Sequence, residues 1–421
     1  APLRDSAPDH IDSLRFGRVT GALLHPFAPP AKESFVPIVR GSGSLVWAID
    51  GNEYVDGTAS LWYCAVGHGR TEIGDAVAAQ ISTLEAYSCF DPFTSPVADR
   101  LAERLVDLTP MPDARVFLCQ SGSEAVDTAM KIARAAQVQA GHPERTLIIS
   151  RVRGYHGTNY GGTSAQGLPL NKVGWGDLLG EVVQVPSDDI EALATLMAER
   201  SGEIAAVLTE PVQGAAGVWP PAEGYLQSVR RLCDQHDAYL IFDEVITAYG
   251  RLGHWFAAEH FGVVPDLTTF AKAVTSGYQP LGGVLVGAAV RAALEADPTY
   301  RLNTGYTYSG HASACAAALV NLDIIEREGL LEQAVHIGDR LGRGLTALAD
   351  DGIIGGVRGA GAMWAAAMKP GQDAAVVRDR SFAGGLIVRA IGDHSITFSP
   401  PLVTTDEQVD RIVDTLAAAA G

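Results

Sequence analysis

From Val116 to Gly287 the chain alternates short apolar runs with helix-forming stretches, and almost every run ends in polar residues. The runs are Val116-Phe117-Leu118-Cys119, Leu147-Ile148-Ile149-Ser150, Val182-Val183-Gln184-Val185, Ile204-Ala205-Ala206-Val207-Leu208, Tyr239-Leu240-Ile241-Phe242 and Gly282-Gly283-Val284-Leu285-Val286. Unbroken apolar runs of this length read as strands covered on both faces. Helices between them are the crossovers that parallel strands require. The pattern predicts an α/β fold, a mostly parallel sheet with helices on both sides. Such sheets take their ligands at the C-terminal tips of the strands. Ser121, Ser123, Tyr155, Glu210 and Asp243 all fall at or just beyond such tips, so one shared site is expected there.

Two of these tips carry the chemistry. Asp243 ends an apolar run, and Phe270-Ala271-Lys272-Ala273-Val274 follows shortly after. A lysine among small apolar residues is costly to hold as a buried cation. Taken singly, Lys272 reads as a surface lysine and Asp243 as a turn aspartate. Taken together, an amine that forms an imine with a carbonyl cofactor and an acid that keeps a pyridine nitrogen protonated point to pyridoxal 5'-phosphate. A third tip agrees. Val116–Cys119 runs through Gln120-Ser121-Gly122-Ser123-Glu124 into an alanine-rich helix with Ala125, Ala129, Ile132, Ala133 and Ala136 on one face. A strand, a small-residue turn and a helix start offer backbone N–H groups to a phosphate. Simple capping by Ser121 or Ser123 explains the same residues equally well.

The flanks are different in character. Residues 1 to about 35 carry Pro26, Pro29, Pro30, Phe16 and Phe27 and read as an irregular arm. Leu45–Ile49, the turn Asp50-Gly51-Asn52 and Tyr54–Asp56 read as a hairpin. Gly41-Ser42-Gly43-Ser44 precedes a strand rather than a helix and reads as a turn. Helices are expected over 72–86 and 96–108, with Thr71 and Ser95 as N-caps. From about 302 helices and short strands mix: a helix through Asn321 and Ile325, one at 330–349, strands at 353–357 and 361–368, a helix at 373–383, short strands around Gly392-Asp393 and a helix at 405–420. Three segments follow: 1–60, an arm and part of a small domain; 61–301, the large cofactor-binding domain; and 302–421, the rest of an α+β small domain.

Composition excludes several classes. A formal net charge of −18 disfavours a nucleic-acid partner. No apolar run reaches the ~18 residues of a membrane span, and residues 1–18 do not read as a secretory signal. Cys64, Cys89, Cys119, Cys233 and Cys315 are odd in number and never paired as C-x-x-C. Neither a disulfide framework nor a zinc site is indicated, and a reducing, cytoplasmic location is expected. His68, His156, His254, His260 and His311 show no metal-ligand spacing; no metal is expected, and they read as structural or supporting residues, His156 first among them to border the site.

With these residues in place, the chain resembles the class III aminotransferases of pyridoxal phosphate fold type I, in particular the amine and omega-amino acid:pyruvate transaminases. The resemblance runs from about residue 20 to the C-terminus. It rests on Ser121-Gly122-Ser123-Glu124-Ala125, Tyr155-His156-Gly157, Glu210-Pro211-Val212-Gln213-Gly214, Asp243-Glu244-Val245, Lys272 and Thr307-Tyr308-Ser309-Gly310-His311, in that order. It implies a large domain with a mostly parallel, seven-stranded type of sheet. It implies that Lys272 carries the cofactor and moves the substrate proton, and that Asp243 pairs with the ring nitrogen. It implies that Gly122 and Ser123 hold the phosphate, with Ser121, His156 and Glu210 also at the cofactor, and that Tyr155 and Val245 pack on the two ring faces. Thr307 resembles a threonine that reaches the neighbouring subunit's phosphate, so a homodimer with a shared site, or a tetramer of such dimers, is implied. Trp62, Cys89 and Phe90 are expected to line the substrate pocket.

Two departures bear on the substrate. Relatives acting on ornithine, acetylornithine or 4-aminobutyrate commonly carry a glutamate where this chain has Ala215, and Arg389 matches the mobile arginine of the amine and beta-alanine:pyruvate branch. A cation that swings in to pair with a carboxylate and then swings out lets one pocket take both kinds of substrate. The expectation is a ping-pong transfer through pyridoxamine phosphate, from an amine or omega-amino acid to a keto acid, pyruvate first among them. An aminomutase, epimerase or decarboxylase is the alternative on the same fold. A non-catalytic cofactor-binding regulator is disfavoured by the acidic charge and by the presence of Lys272.

Overall fold

In the computed structural model, which describes residues 22–392 and 394–421, the alternating stretch forms one seven-stranded sheet. Of the expected arm, residues 1–21 lie outside the described residues, as does Asp393 of the late turn. Three short strands come first: β1 (Ile38–Ser42), β2 (Leu45–Ala48) and β3 (Glu53–Asp56). The large sheet then takes β4 (Arg115–Cys119), β5 (Leu147–Arg151), β6 (Val182–Val185), β7 (Ile204–Thr209), β8 (Tyr239–Asp243), β9 (Leu267–Phe270) and β10 (Gly282–Val286), in the order β4-β10-β9-β8-β7-β5-β6. Neighbours are parallel except where β10 pairs antiparallel with both β4 and β9. The connection from β9 to β10, residues 271–281, is too short for a helical crossover, so the chain turns back on itself.

The unbroken apolar runs are explained by cover on both faces. Side chains alternate across each strand. Ile148, Ala206, Leu208, Ile241 and Leu267 pack with the alanine face of the helix Gly122–Gln139, whose Ala125, Ala129, Ile132, Ala133 and Ala136 are all buried. Leu147, Ile149, Val207, Leu240, Phe242 and Leu285 join the larger core on the other side. The helix Ala312–Arg327 packs on Thr71–Leu84 and Pro96–Leu108 and closes this side.

The remaining strands are β11 (Gly356–Ala360), β12 (Met363–Ala367), β13 (Leu386–Ile387), β14 (Arg389–Ile391) and β15 (Ser395–Phe398). β11-β12-β15-β14 form an antiparallel sheet, packed by the helices Leu330–Asp350 and Ala374–Ala383. β13 instead joins the N-terminal hairpin, parallel to β3 with Leu386 opposite Val55 and Ile387 opposite Asp56. An N-terminal hairpin and a segment from late in the chain thus share one sheet.

Local expectations shift in four places. Gly41 and Ser42 lie inside β1, opposite Val46 and Leu45, and the reversal falls on Gly43 and Ser44. Thr71 is the first helical residue, with Arg70 at the cap position and its guanidinium on Glu328. Ser95 stands at the cap but makes no side-chain capping bond. The strand expected at 353–357 starts at Gly356, because the N–H groups of Ile353 and Ile354 close the preceding helix on Leu348 O. Among the described residues no helix is long and apolar enough to cross a membrane.

Candidate active site

The tips of the parallel strands open into a cavity of about 840 Å³. The structure brings Trp62, Gly122, Ser123, Tyr155, His156, Glu210, Asp243, Val245, Lys272 and Arg389 to its walls. Ser121, Cys89, Phe90 and Thr307 do not line it. Ser121 turns its Oγ inward as the cap of the helix Gly122–Gln139, accepting from Glu124 N at 3.2 Å. Phe90 and Thr307 are exposed, and Cys89 is half-buried against Gly310.

Asp243 ends β8 and is held from three directions. His156 Nδ1 lies 2.8 Å from Oδ2. Thr269 Oγ1 donates to Oδ1 at 3.0 Å, and Val245 N to the same oxygen at 3.2 Å. Thr269 stands opposite Asp243 in the β8–β9 ladder, which delivers its hydroxyl there. The next residue, Glu244, is fully buried and faces away, accepting from the N–H groups of Ala257 and Ala258 and from Thr247 Oγ1. Burial pushes its carboxyl up to about 7. It ties the loop after β8 to a neighbouring short helix and so fixes where Asp243 points.

Lys272 follows β9 on a left-handed backbone, φ +48°, a conformation that costs free energy in a non-glycine residue. Asn321, fully buried, donates Nδ2 to Ala273 O (2.8 Å) and Val274 O (3.0 Å) and holds this turn in place. Among the described residues the Lys272 amine has no hydrogen-bond or ion-pair partner. Burial lowers it from its ordinary 10.5 to about 8, against the opposing pull of the Asp243 and Glu210 carboxylates.

The helix Gly122–Gln139 aims its N-terminus at the same space. Gly122 lies so close to Val245 that an added Cβ would sit 2.8 Å from Val245 Cγ1. Gly157, at φ +87°, lets the Tyr155 loop close on Ser123, whose Oγ accepts from Thr158 N at 3.0 Å. That loop is pinned from below by Glu210, which accepts from Tyr155 N at 2.8 Å and from Gly214 N at 3.0 Å. Glu210 is buried with no cation paired to its carboxylate among the described residues, and desolvation raises it to about 7. Its backbone carbonyl accepts from the guanidinium of Arg151.

The outer wall carries the residues expected to meet substrate. Trp62 is nearly fully buried and packs with Ile246, Val218 and Met363. Arg389, on β14, is half-buried and has no ion-pair partner among the described residues; Ala215 lines the same cavity. Burial lowers the Arg389 guanidinium, with Tyr155 acting against it. Thr269 and Asn321 escaped the sequence reading. The threonine is visible only through strand register, and the asparagine only through the packing of a helix 47 residues away.

An amine without a partner among the described residues, a carboxylate held in one orientation and a helix N-terminus beside a serine face one cavity. That set fits a group bearing a carbonyl, a basic ring nitrogen and a phosphate. Among the described residues no three His, Cys, Asp or Glu side chains are grouped to hold a metal ion.

Comparison with known proteins agrees with this geometry. The family model for aminotransferase class-III matches residues 27–420. An omega-aminotransferase of Caulobacter vibrioides is 36% identical, over 95% of this chain and 97% of that protein. A beta-alanine–pyruvate aminotransferase of Pseudomonas aeruginosa is 37% identical, over 91% of each chain. The crystal structure of an amine transaminase from an uncultivated Pseudomonas species, in a PLP-bound form, superposes with a TM-score of 0.90 at 35% identity, over 94% of this chain and 98% of that one.

Proposed function

The chain belongs to the class-III aminotransferases, whose cofactor is pyridoxal 5'-phosphate, and from that premise we propose that it moves an amino group from an amine or omega-amino acid to pyruvate. The observation that carries this reading is Arg389, a guanidinium at the cavity wall with no carboxylate partner among the described residues and with Ala215 lining the same cavity. A cation left free in this way can take the carboxylate of a keto acid and stand aside for an amine that has none. The relative named for beta-alanine and pyruvate supports the same acceptor.

The bound cofactor supplies an electron sink that acidifies the carbon carrying the substrate nitrogen. The chain's own residues do the rest. Gly122 and Ser123, at the helix N-terminus, would hold the phosphate, and Asp243 would face the ring nitrogen. Tyr155 and Val245 would border the ring, and Glu210 sets the height of the Tyr155 loop. Lys272 Nζ, lowered to about 8, takes up and returns a proton near neutrality.

The single chain supports a further reading, a homodimer with a shared site. Tyr87, Phe90, Phe93 and Tyr308 are each more than half exposed, an aromatic surface that a partner subunit would cover. In that assembly Thr307, Cys89 and Phe90 would border the partner's cavity. The five free thiols, four of them buried, suit a reducing compartment, and we propose the cytoplasm.

Addition of one amine without a keto acid tests the reaction class. A transaminase stops after one equivalent of product per site and resumes when pyruvate is added. Continued turnover without an acceptor would assign the chain to the aminomutase, epimerase or decarboxylase alternative. A panel of pyruvate, 2-oxoglutarate and glyoxylate then tests the acceptor.

A further inference from the structure

Arg153 precedes Tyr155 by two residues on the same loop, and its side chain lines the cavity. Its backbone is left-handed, φ +67°, a position uncommon for a residue with a side chain. The guanidinium is fixed on two sides. Nη2 is 3.2 Å from Asp188 Oδ2, and Cζ lies 4.4 Å from the Trp219 ring. A second guanidinium, that of Arg358, lies over the same indole at 3.8 Å. It is held by Gly217 O at 2.8 Å and Ser395 Oγ at 2.9 Å, and has no carboxylate partner among the described residues. Asp188 is also shared with the buried Arg151, at 3.3 Å.

Two guanidiniums therefore share one carboxylate and a third stacks on the indole beside them, on a chain whose formal net charge is −18. Burial, and after it the neighbouring charge of Arg153, disfavours the charged form of Arg358. A surplus of positive charge at a cavity wall draws an anion into the cavity and is relieved when one binds. Arg153 is the member of the cluster that faces the cavity. An arginine already braced by stacking loses little freedom when its planar fork meets a carboxylate.

We propose that Arg153 anchors the carboxylate at the far end of the amino donor, so that the donor class is an omega-amino acid rather than an unfunctionalised amine. The proposal rests on the transaminase reading. Arg389 and Arg153 then divide the carboxylates between them: Arg389 takes the one adjacent to the reacting carbon of the keto acid, and Arg153 takes the remote one of the donor.

The test compares wild-type holoenzyme with Arg153→Gln. Straight-chain omega-amino acids and n-alkylamines of matched length are followed in the donor half-reaction by the cofactor's absorbance, and the ratio of their kcat/KM values is taken. That ratio is expected to fall roughly ten-fold to a hundred-fold in the variant, the value of a charged, two-pronged hydrogen bond. Arg153→Lys is expected to retain part of it. Calorimetric binding of glutarate, which needs no turnover, is expected to weaken about ten-fold or more by the same reasoning. An unchanged ratio or unchanged glutarate affinity overturns the proposal. So does loss of bound cofactor from the variant, which would assign Arg153 to the phosphate. If glutarate binding weakens but neither protein converts any amine, the anchor stands and the transaminase reading falls.

Discussion

His156 Nδ1 and Asp243 Oδ2 lie 2.8 Å apart, with side-chain exposures of 1% and 5%. Thr269 and the backbone of Val245 occupy the other oxygen, so the carboxylate meets donors on both sides and cannot turn. An asparagine at 243 would have to point its NH₂ at one set of these donors and would lose both the charge and the alignment. Asp243→Asn is therefore expected to keep bound cofactor but to lower kcat by about 10²–10³, roughly 3–4 kcal/mol of transition-state stabilisation. Steady-state rates alongside the visible spectrum check this. Near-normal turnover would remove Asp243 from the chemistry.

The Lys272 amine should titrate far below an ordinary lysine. With its pKa lowered from 10.5 to about 8, half of it is uncharged and nucleophilic at pH 8, against a fraction of a per cent for an exposed lysine. In cofactor-free protein, the rate of reaction with pyridoxal phosphate should rise with pH and level off above a midpoint near 8. Borohydride should then fix the label on the Lys272 peptide. A midpoint near 10.5, or label on Lys131, Lys172 or Lys369, contradicts the assignment.

Asp243, Glu210 and the Ser123 turn were legible in the sequence because each ends an unbroken apolar run, and a parallel sheet gathers such ends at one edge. The supporting residues were not. Thr269 reaches Asp243 only through the pairing of β8 with β9, and Asn321 reaches Ala273 only because its helix packs under the turn. Such contacts depend on tertiary register, which no local pattern encodes. The same holds for β13, which crosses the length of the chain to pair with β3. Gly41 and Ser42 read as turn residues from their type alone, but cross-strand pairing with β2 overrides that preference.

Asn321→Ala should uncouple this support from the chemistry. It strands the buried carbonyl of Val274 and leaves that of Ala273 to the Ser276 N–H at 3.3 Å. Each unsatisfied buried group costs about 1–3 kcal/mol. Urea denaturation should show a loss of roughly 1–3 kcal/mol on that scale. Because these carbonyls hold the turn that carries Lys272, the variant should also release cofactor faster than wild type. Loss of stability with unchanged cofactor release would make Asn321 a general core residue rather than one that positions Lys272.

Arg389 provides the last test, which separates the two half-reactions. Its guanidinium stands at the cavity wall without an anionic partner among the described residues, and burial already disfavours its charge. A carboxylate that enters the cavity relieves that cost, and a hydrogen bond to a charged group contributes about 1.5–3 kcal/mol. Arg389→Ala should therefore lower kcat/KM for pyruvate roughly ten-fold to a hundred-fold. A simple amine such as a 1-arylethylamine carries no carboxylate for Arg389 to hold, so the penalty on the amine half-reaction should be far smaller. Arg389→Lys should recover only part of the loss, since an ammonium cannot reproduce the planar fork. Single-turnover assays started from each cofactor form read the two halves independently. Equal losses in both would make Arg389 a structural residue of β14 and would require another anchor for the keto acid.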